Sequence, residues 1–246
     1  MKHFGTLFQS GLKRRSKDFF VLFYNVIFPI IIIALLGYLT SKSYSVYFTS
    51  YHYYTVVMIP FCGLMGIITV CYAAQEEKRF KTAYRYITAP ISKGELVMAK
   101  FLSCVIIFAL CSIVALSISK MLFNMEFNGK FLWIVYLLVC ESVAVTGIGL
   151  FLGLACKRFD ILQNFLNLPI VIFGFLGGVF FPVNSYQPIL STIINLSPLT
   201  WVNRGIVSCI FDNNIQILWV VSAVFLLFGC IATGLTIKFF KKEAFI

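Results

Sequence analysis

The sequence is poor in acidic residues and in histidine. It has nine Asp and Glu against twenty Lys and Arg, and its two histidines are His3 and His52. It contains no G-x-x-x-x-G-K-[ST] loop, the pattern that cradles the phosphates of a nucleotide. It also lacks H-E-x-x-H and C-x-x-C, which argues against zinc-protease chemistry and weakens metal and redox sites. We therefore expect no catalytic, cofactor-binding or metal-binding residues in this chain.

Long hydrophobic runs dominate what is present. Hydrophobic residues make up 60% of the sequence, charged residues 12%, and the mean hydropathy is +0.93. A membrane-crossing helix needs about 20 apolar residues. Six stretches reach that length, at 19–39, 56–74, 101–119, 131–156, 162–181 and 215–237. They predict an all-α integral membrane protein with six transmembrane helices, in which residues 1–246 form a single membrane domain.

The net charge of +11 is distributed unevenly among the connecting segments. With a cytoplasmic N-terminus, sixteen Lys and Arg lie inside and four outside, namely Lys42, Lys120, Lys130 and Arg204. An excess of cytoplasmic Lys and Arg orients membrane proteins, and such residues also attract anionic headgroups. The basicity therefore predicts a cell-membrane protein with both termini in the cytoplasm, not a nucleic-acid partner.

A basic segment joins the second and third apolar runs. Residues 76–100, EEKRFKTAYRYITAPISKGELVMAK, hold six of the twenty Lys and Arg and a Pro-Ile-Ser-Lys-Gly turn. Aromatic anchors together with charge are typical of protein-docking surfaces. In a chain without a nucleotide motif, this segment is a candidate docking surface for a partner that supplies energy.

Two shorter helices are expected outside the spans. Phe4, Leu7, Phe8 and Leu12 recur at helical spacing, which predicts an amphipathic N-terminal helix in the inner interface. Ser197-Pro198 is typical of an N-cap followed by the first helical residue. The helix that follows, up to Ile210, is too short to cross a membrane, so we expect a re-entrant or surface-lying outer helix that includes Pro198 and Arg204.

Glu141 is an ionisable residue near the middle of the fourth apolar run. A charge there costs roughly 2.5–3.5 kcal/mol on insertion scales, so its side chain is expected to face the protein interior. One interpretation is a structural hydrogen bond to Asn25, Asn164 or Asn167. The other is a place in a substrate path or a proton relay.

Three motifs carry a family resemblance. The first is Glu76-Glu77 followed by Thr82, Arg85, Pro90-Ile91-Ser92-Lys93-Gly94-Glu95-Leu96 and Lys100. The second is Phe28-Pro29 in the first span. The third is Phe181-Pro182, Pro188, Ser197-Pro198-Leu199-Thr200 and Arg204 after the fifth. Together they resemble the permease subunits of ABC type-2 exporters, although Lys81 stands where that family often has glycine.

The resemblance implies a bacterial permease that works with two separate ABC ATPase subunits and a second permease copy or paralogue. The ATPases would bind ATP and Mg, and this chain would bind neither. The implied cytoplasmic coupling helix carries Tyr84, Arg85, Tyr86, Ile87, Pro90, Ser92 and Lys93. The implied substrate path is lined from the second and fifth spans, with Phe61, Met65, Phe173, Phe175 and Phe180 beside Glu141 as candidates.

The expected function is ATP-driven export of an amphipathic molecule, such as an antibiotic, an antimicrobial peptide or a lipid, in drug or peptide resistance. One alternative is a proton-coupled secondary transporter that uses Glu141. Another is a membrane scaffold or sensor that recruits a partner without transport. Co-purification with an ATPase separates export from both alternatives.

Overall fold

The computed structural model describes residues 4–44, 49–79, 91–127, 129–155, 159–181 and 188–240. The described residues form helices and no strand, as the sequence predicts. In chain order the helices are α1 (Phe4–Ser16), α2 (Phe19–Leu39), α3 (Ser50–Arg79), α4 (Lys93–Phe123), α5 (Phe131–Ala155), α6 (Phe159–Leu176), α7 (Pro188–Asn195), α8 (Pro198–Ile210) and α9 (Gln216–Phe239).

Five of these helices are long and apolar enough to cross a membrane, namely α2, α3, α4, α5 and α9. The predicted fifth span falls on α6, whose described apolar part, Asn164–Leu176, is shorter. Helix α6 ends at Leu176 instead of running to residue 181, because the chain turns at Gly178, where φ is +76°. The all-α membrane fold is thus confirmed, with α6 shorter than predicted.

Helix α2 contains Pro29, and its helical winding changes next to this residue. Proline has no N–H, so Pro29 cannot donate to the carbonyl four residues earlier. The turn immediately before it, Phe23–Ile27, has the wider π-helical winding, and α-helical winding resumes at Phe28. Such wider turns are a known way of accommodating a break in the α-helical hydrogen bonds.

Helix α5 lies at the centre of the bundle, between α3 and α9. Its glycines allow both neighbours to approach closely. A Cβ added to Gly149 would lie 2.9 Å from the Ile67 carbonyl oxygen of α3, and one added to Gly147 would lie 2.6 Å from the Gly229 oxygen of α9. Small residues at helix interfaces permit such backbone contact in membranes, where dispersion forces drive association.

The amphipathic helix α1 packs against α4. Its Leu12 contacts a cluster of buried apolar side chains that includes Phe101 and Cys104 of α4 and Val21 of α2. The predicted N-terminal helix is therefore present, and its apolar stripe faces protein over at least part of its length. A position in the inner interface stays a prediction.

Alanine at Gly229 should destabilise the fold. Its Cβ would lie 2.8 Å from the Val143 carbonyl oxygen and 2.7 Å from the Val143 Cγ1, so α5 and α9 would have to separate. Overpacking of this kind costs about 1–3 kcal/mol. We expect a clear fall in the melting temperature of the purified protein, whereas Gly234→Ala, which meets nothing within 4 Å on the same helix, should leave it unchanged or slightly raised. Equal melting temperatures for the two variants would contradict the packing of α5 against α9.

Candidate transport site

The predicted docking segment is described only at its ends. Tyr84, Arg85, Tyr86, Ile87 and Pro90 lie outside the described residues, and Ser92 and Lys93 begin the described part. Ser92 is the N-cap of α4 in a capping box: its hydroxyl accepts from the Glu95 N–H at 3.2 Å, and its own N–H donates to Glu95 Oε2 at 3.2 Å. The segment therefore enters α4 through a well-defined helix start.

The other end of the segment is held by charge. Glu76 on α3 forms ion pairs with Arg15 and, at 3.3 Å, with Arg14 of α1. Lys100 of α4 donates to the carbonyl oxygens of Ala73 and Ala74 at 3.4 and 3.3 Å, near the end of α3. Sequence reasoning found these residues but not their pairing. The sequence feature that could have indicated this pairing is one pair of adjacent acidic residues in a chain that also carries a block of basic residues near its N-terminus.

Three of the predicted path residues form an aromatic chain. The rings of Phe61 and Phe180 are 6.0 Å apart and nearly perpendicular, and those of Phe175 and Phe180 are 4.6 Å apart. Gly174 of α6 makes room for the Phe61 ring, because a Cβ at Gly174 would lie 2.6 Å from it. The structure thus brings together residues that are more than a hundred positions apart in the sequence.

The remaining path residues lie near this chain but in other clusters. Met65 packs against the main core, and Phe173 packs beside Leu64 and Val145 in a separate cluster between α3 and α5. Phe175 is half exposed, so it lies at the edge of the bundle and not in its interior.

Glu141 is 2% exposed and faces α3, as its cost in hydrocarbon predicts. A Cβ added to Gly63 would lie 3.5 Å from its carboxyl atoms, so Gly63 leaves space beside them. The suggested asparagine partners do not reach it among the described side chains. Asn25 donates instead to the Val21 carbonyl of its own helix at 2.8 Å, and Asn164 is exposed. The role of Glu141, as a structural residue or as part of a substrate path, stays a prediction.

Helix α8 closes the end of α6 with a stripe of polar side chains. The last carbonyls of a helix lack partners within it. Ser197 donates to the Phe173 oxygen at 3.1 Å, Thr200 to Leu176 at 3.2 Å, and Asn203 to Gly177 at 2.8 Å. The Tyr53 hydroxyl of α3 donates to Gly178 at 2.6 Å. Four carbonyls at and just beyond the end of α6 thereby accept hydrogen bonds from α3, α8 and the N-cap of α8.

The predicted short helix after Pro198 is present as α8, with the backbone of Ser197 at its N-cap. The Ser197 hydroxyl, however, caps α6 instead of its own helix. The apolar face predicted for α8 is buried, at Leu199, Val202, Ile206 and Ile210. Arg204 is exposed and donates to Asn195 Oδ1 at 2.6 Å. The outer position of this helix stays a prediction.

The fold defines a multi-pass, all-α membrane protein built around α5, without a nucleotide motif in its sequence. The family model of the ABC-2 type transporter matches residues 2–211. The chain belongs to that family of ABC transporter permease subunits, which associate with ABC ATPases. A search of curated proteins found no match to the chain.

Leucine at Asn203 should loosen the junction of α6 and α8. It removes the donor to Gly177 and leaves that carbonyl unpaired, which costs about 1–3 kcal/mol when the group is buried. We expect a lower melting temperature and faster proteolysis near residue 181. The control Asn164→Leu changes an exposed asparagine of α6 and should have little effect. If both leucine variants behave like the wild-type protein, the capping of α6 by α8 is not a stabilising feature.

Proposed function

We propose that this chain is the permease subunit of an ATP-driven exporter of amphipathic molecules, and that residues 1–246 act as one membrane domain. The observation that carries the proposal is the family match over residues 2–211 in a chain that has no phosphate-binding loop. ATP and Mg would be bound by two partner ATPases. The permease would then convert a motion of those ATPases into a change in the side of the membrane to which the substrate path opens.

The described ends of the docking segment support a coupling role. Glu76 is the first residue of the segment and is paired with α1, while Lys100 is its last residue and contacts the end of α3. A displacement of the segment would therefore be shared by α1, α3 and α4. In this proposal Tyr84, Arg85, Tyr86, Ile87, Pro90, Ser92 and Lys93 form the surface that sits on the ATPase.

The aromatic chain supports an amphipathic substrate class. Phe61, Phe175 and Phe180 present ring faces and edges that suit flat or apolar groups. On α6, Phe165, Leu168, Ile172 and Phe175 recur at intervals of three and four and are 69, 65, 46 and 50% exposed. That stripe fits a second permease copy packed along α6, with the path between the two copies.

The charge distribution supports the orientation. Sixteen Lys and Arg against four are the distribution expected of a chain with both termini in the cytoplasm, and we propose that orientation in a bacterial cell membrane. In this orientation α8 and Arg204 lie on the outer side, and the docking segment faces the ATPases.

Aspartate at both Tyr84 and Ile87 should detach the ATPase. A buried charge in place of an aromatic and an aliphatic anchor has no partner, so docking should weaken by at least on the order of tenfold. Co-purification from membranes and ATP-dependent transport should both fall, with normal permease levels. Tyr38→Asp changes an aromatic residue that is 73% exposed at the other end of a span and should keep the ATPase. An intact complex in the double variant would show that the segment is not the docking surface.

Glutamine at Glu141 should leave ATP-driven transport intact between about pH 6 and pH 8. The amide has nearly the same shape as the carboxyl group, and Gly63 leaves space beside it. Transport into vesicles, normalised to permease content, is the measurement. Glu126→Gln, an exposed carboxylate, is the control. Near-complete loss of transport in Glu141→Gln alone, with normal expression, would favour a proton-coupled transporter over the proposed function.

A further inference from the structure

A lateral groove opens on the side of the helix bundle, and its lining includes Leu64 and Val145. It has a volume of about 500 Å³ and lies between α3, α5, α8 and α9. Its floor includes the buried side chains of Ile67, Ala144 and Val145. Its rim includes Trp201, Val224 and Phe228, which are 42, 44 and 61% exposed. The groove therefore opens at the surface of the helix bundle that would face lipid.

The described residues that line the groove are apolar. None of its twelve lining residues carries a charge, and the single polar group among their side chains, the Trp201 indole N–H, is already engaged. A volume of this size is in the range of sites that hold small ligands. In a bilayer its natural content is a hydrocarbon chain, because apolar cavities exclude water.

Asn195, Trp201 and Arg204 form a hydrogen-bonded group next to the rim of the groove, which we call the Asn195 clamp. The Trp201 indole N–H donates to the Asn195 carbonyl oxygen at 2.8 Å, and Arg204 donates to the Asn195 side-chain oxygen at 2.6 Å. The Arg204 guanidinium carbon lies 5.5 Å from the centre of the Trp201 ring. One asparagine thus orients both the rim residue of the groove and the cation beside it.

Arg204 is the cation nearest to the Trp201 ring among the described residues. Within the described ranges it forms no ion pair with a carboxylate. Asp212 lines a neighbouring cavity together with Arg204 but is not within ion-pair distance. An exposed arginine with free guanidinium donors is well suited to a phosphate group.

We propose that this groove binds an anionic phospholipid, with one acyl chain in the space that α3, α5, α8 and α9 line and the phosphate group on Arg204. Hydrocarbon chains gain little by moving from bilayer to an apolar groove, so the groove sets the position of the lipid and the charge sets its selectivity. The site concerns the permease alone and does not depend on the ATPase or on the proposed export.

The test uses the full-length permease in detergent, titrated with dioleoylphosphatidylglycerol or dioleoylphosphatidylcholine. Native mass spectrometry counts the bound lipids, and the melting temperature reports stabilisation. We expect the wild-type protein to prefer the anionic lipid, and Arg204→Gln to reduce that preference on the order of tenfold. Arg204→Lys should keep most of it. Inorganic phosphate at the same concentration should not stabilise the protein, since it lacks the chain.

A second pair of variants tests the groove itself. Val224→Trp places a large ring at the rim and should abolish retention of both lipids, whereas Cys230→Trp changes an exposed residue of α9 that does not line the groove and should bind lipid as the wild-type protein does. Equal binding of the two lipids by the wild-type protein, an unchanged preference in Arg204→Gln, or a dimer that excludes lipid from the groove would each overturn the proposal.

Discussion

The structure depends on satisfying backbone hydrogen bonds where helices end inside a hydrophobic protein. An unpaired peptide group in hydrocarbon costs several kcal/mol, so a helix that stops short needs donors from elsewhere. Helix α6 stops at Leu176, and α8 with its N-cap Ser197, together with Tyr53 of α3, supplies four donors to carbonyls at and just beyond that end. This requirement fixes α8 against α6. The hydrogen bonds that Asn195 accepts also fix the positions of the Arg204 and Trp201 side chains.

The same principle links the fold to the proposed motion. At the opposite end of the bundle, Lys100 donates to carbonyls near the end of α3, and Glu76 is paired with Arg14 and Arg15. Charge and hydrogen bonds therefore add to the apolar cluster of Leu12, Ala73 and Phe101 in joining α1, α3 and α4 beside the docking segment. At the centre of the bundle, by contrast, α5 meets α3 and α9 through close glycine contacts.

Sequence reasoning recovered what depends on local pattern. The all-α membrane fold, the N-terminal helix, the short helix after Pro198 and the burial of Glu141 follow from hydropathy, helical spacing and the cost of charge in hydrocarbon. It failed where the answer depends on how distant segments meet. Ser197 is the N-cap of α8 as predicted, but the contact of its hydroxyl with Phe173 of α6 was not predicted, because spacing along a chain does not reveal which helix faces which. Helix α6 was predicted too long because hydropathy does not register the turn at Gly178.

The central claim is that energy reaches this permease from a separate ATPase. The most direct measurement is to purify the tagged chain from its native membranes and assay the preparation for ATP hydrolysis. The account predicts an ABC ATPase in fixed ratio to the permease, with hydrolysis that falls when that ATPase is dissociated from it. A permease that purifies from intact membranes without any ATPase, yet still transports, would contradict the account.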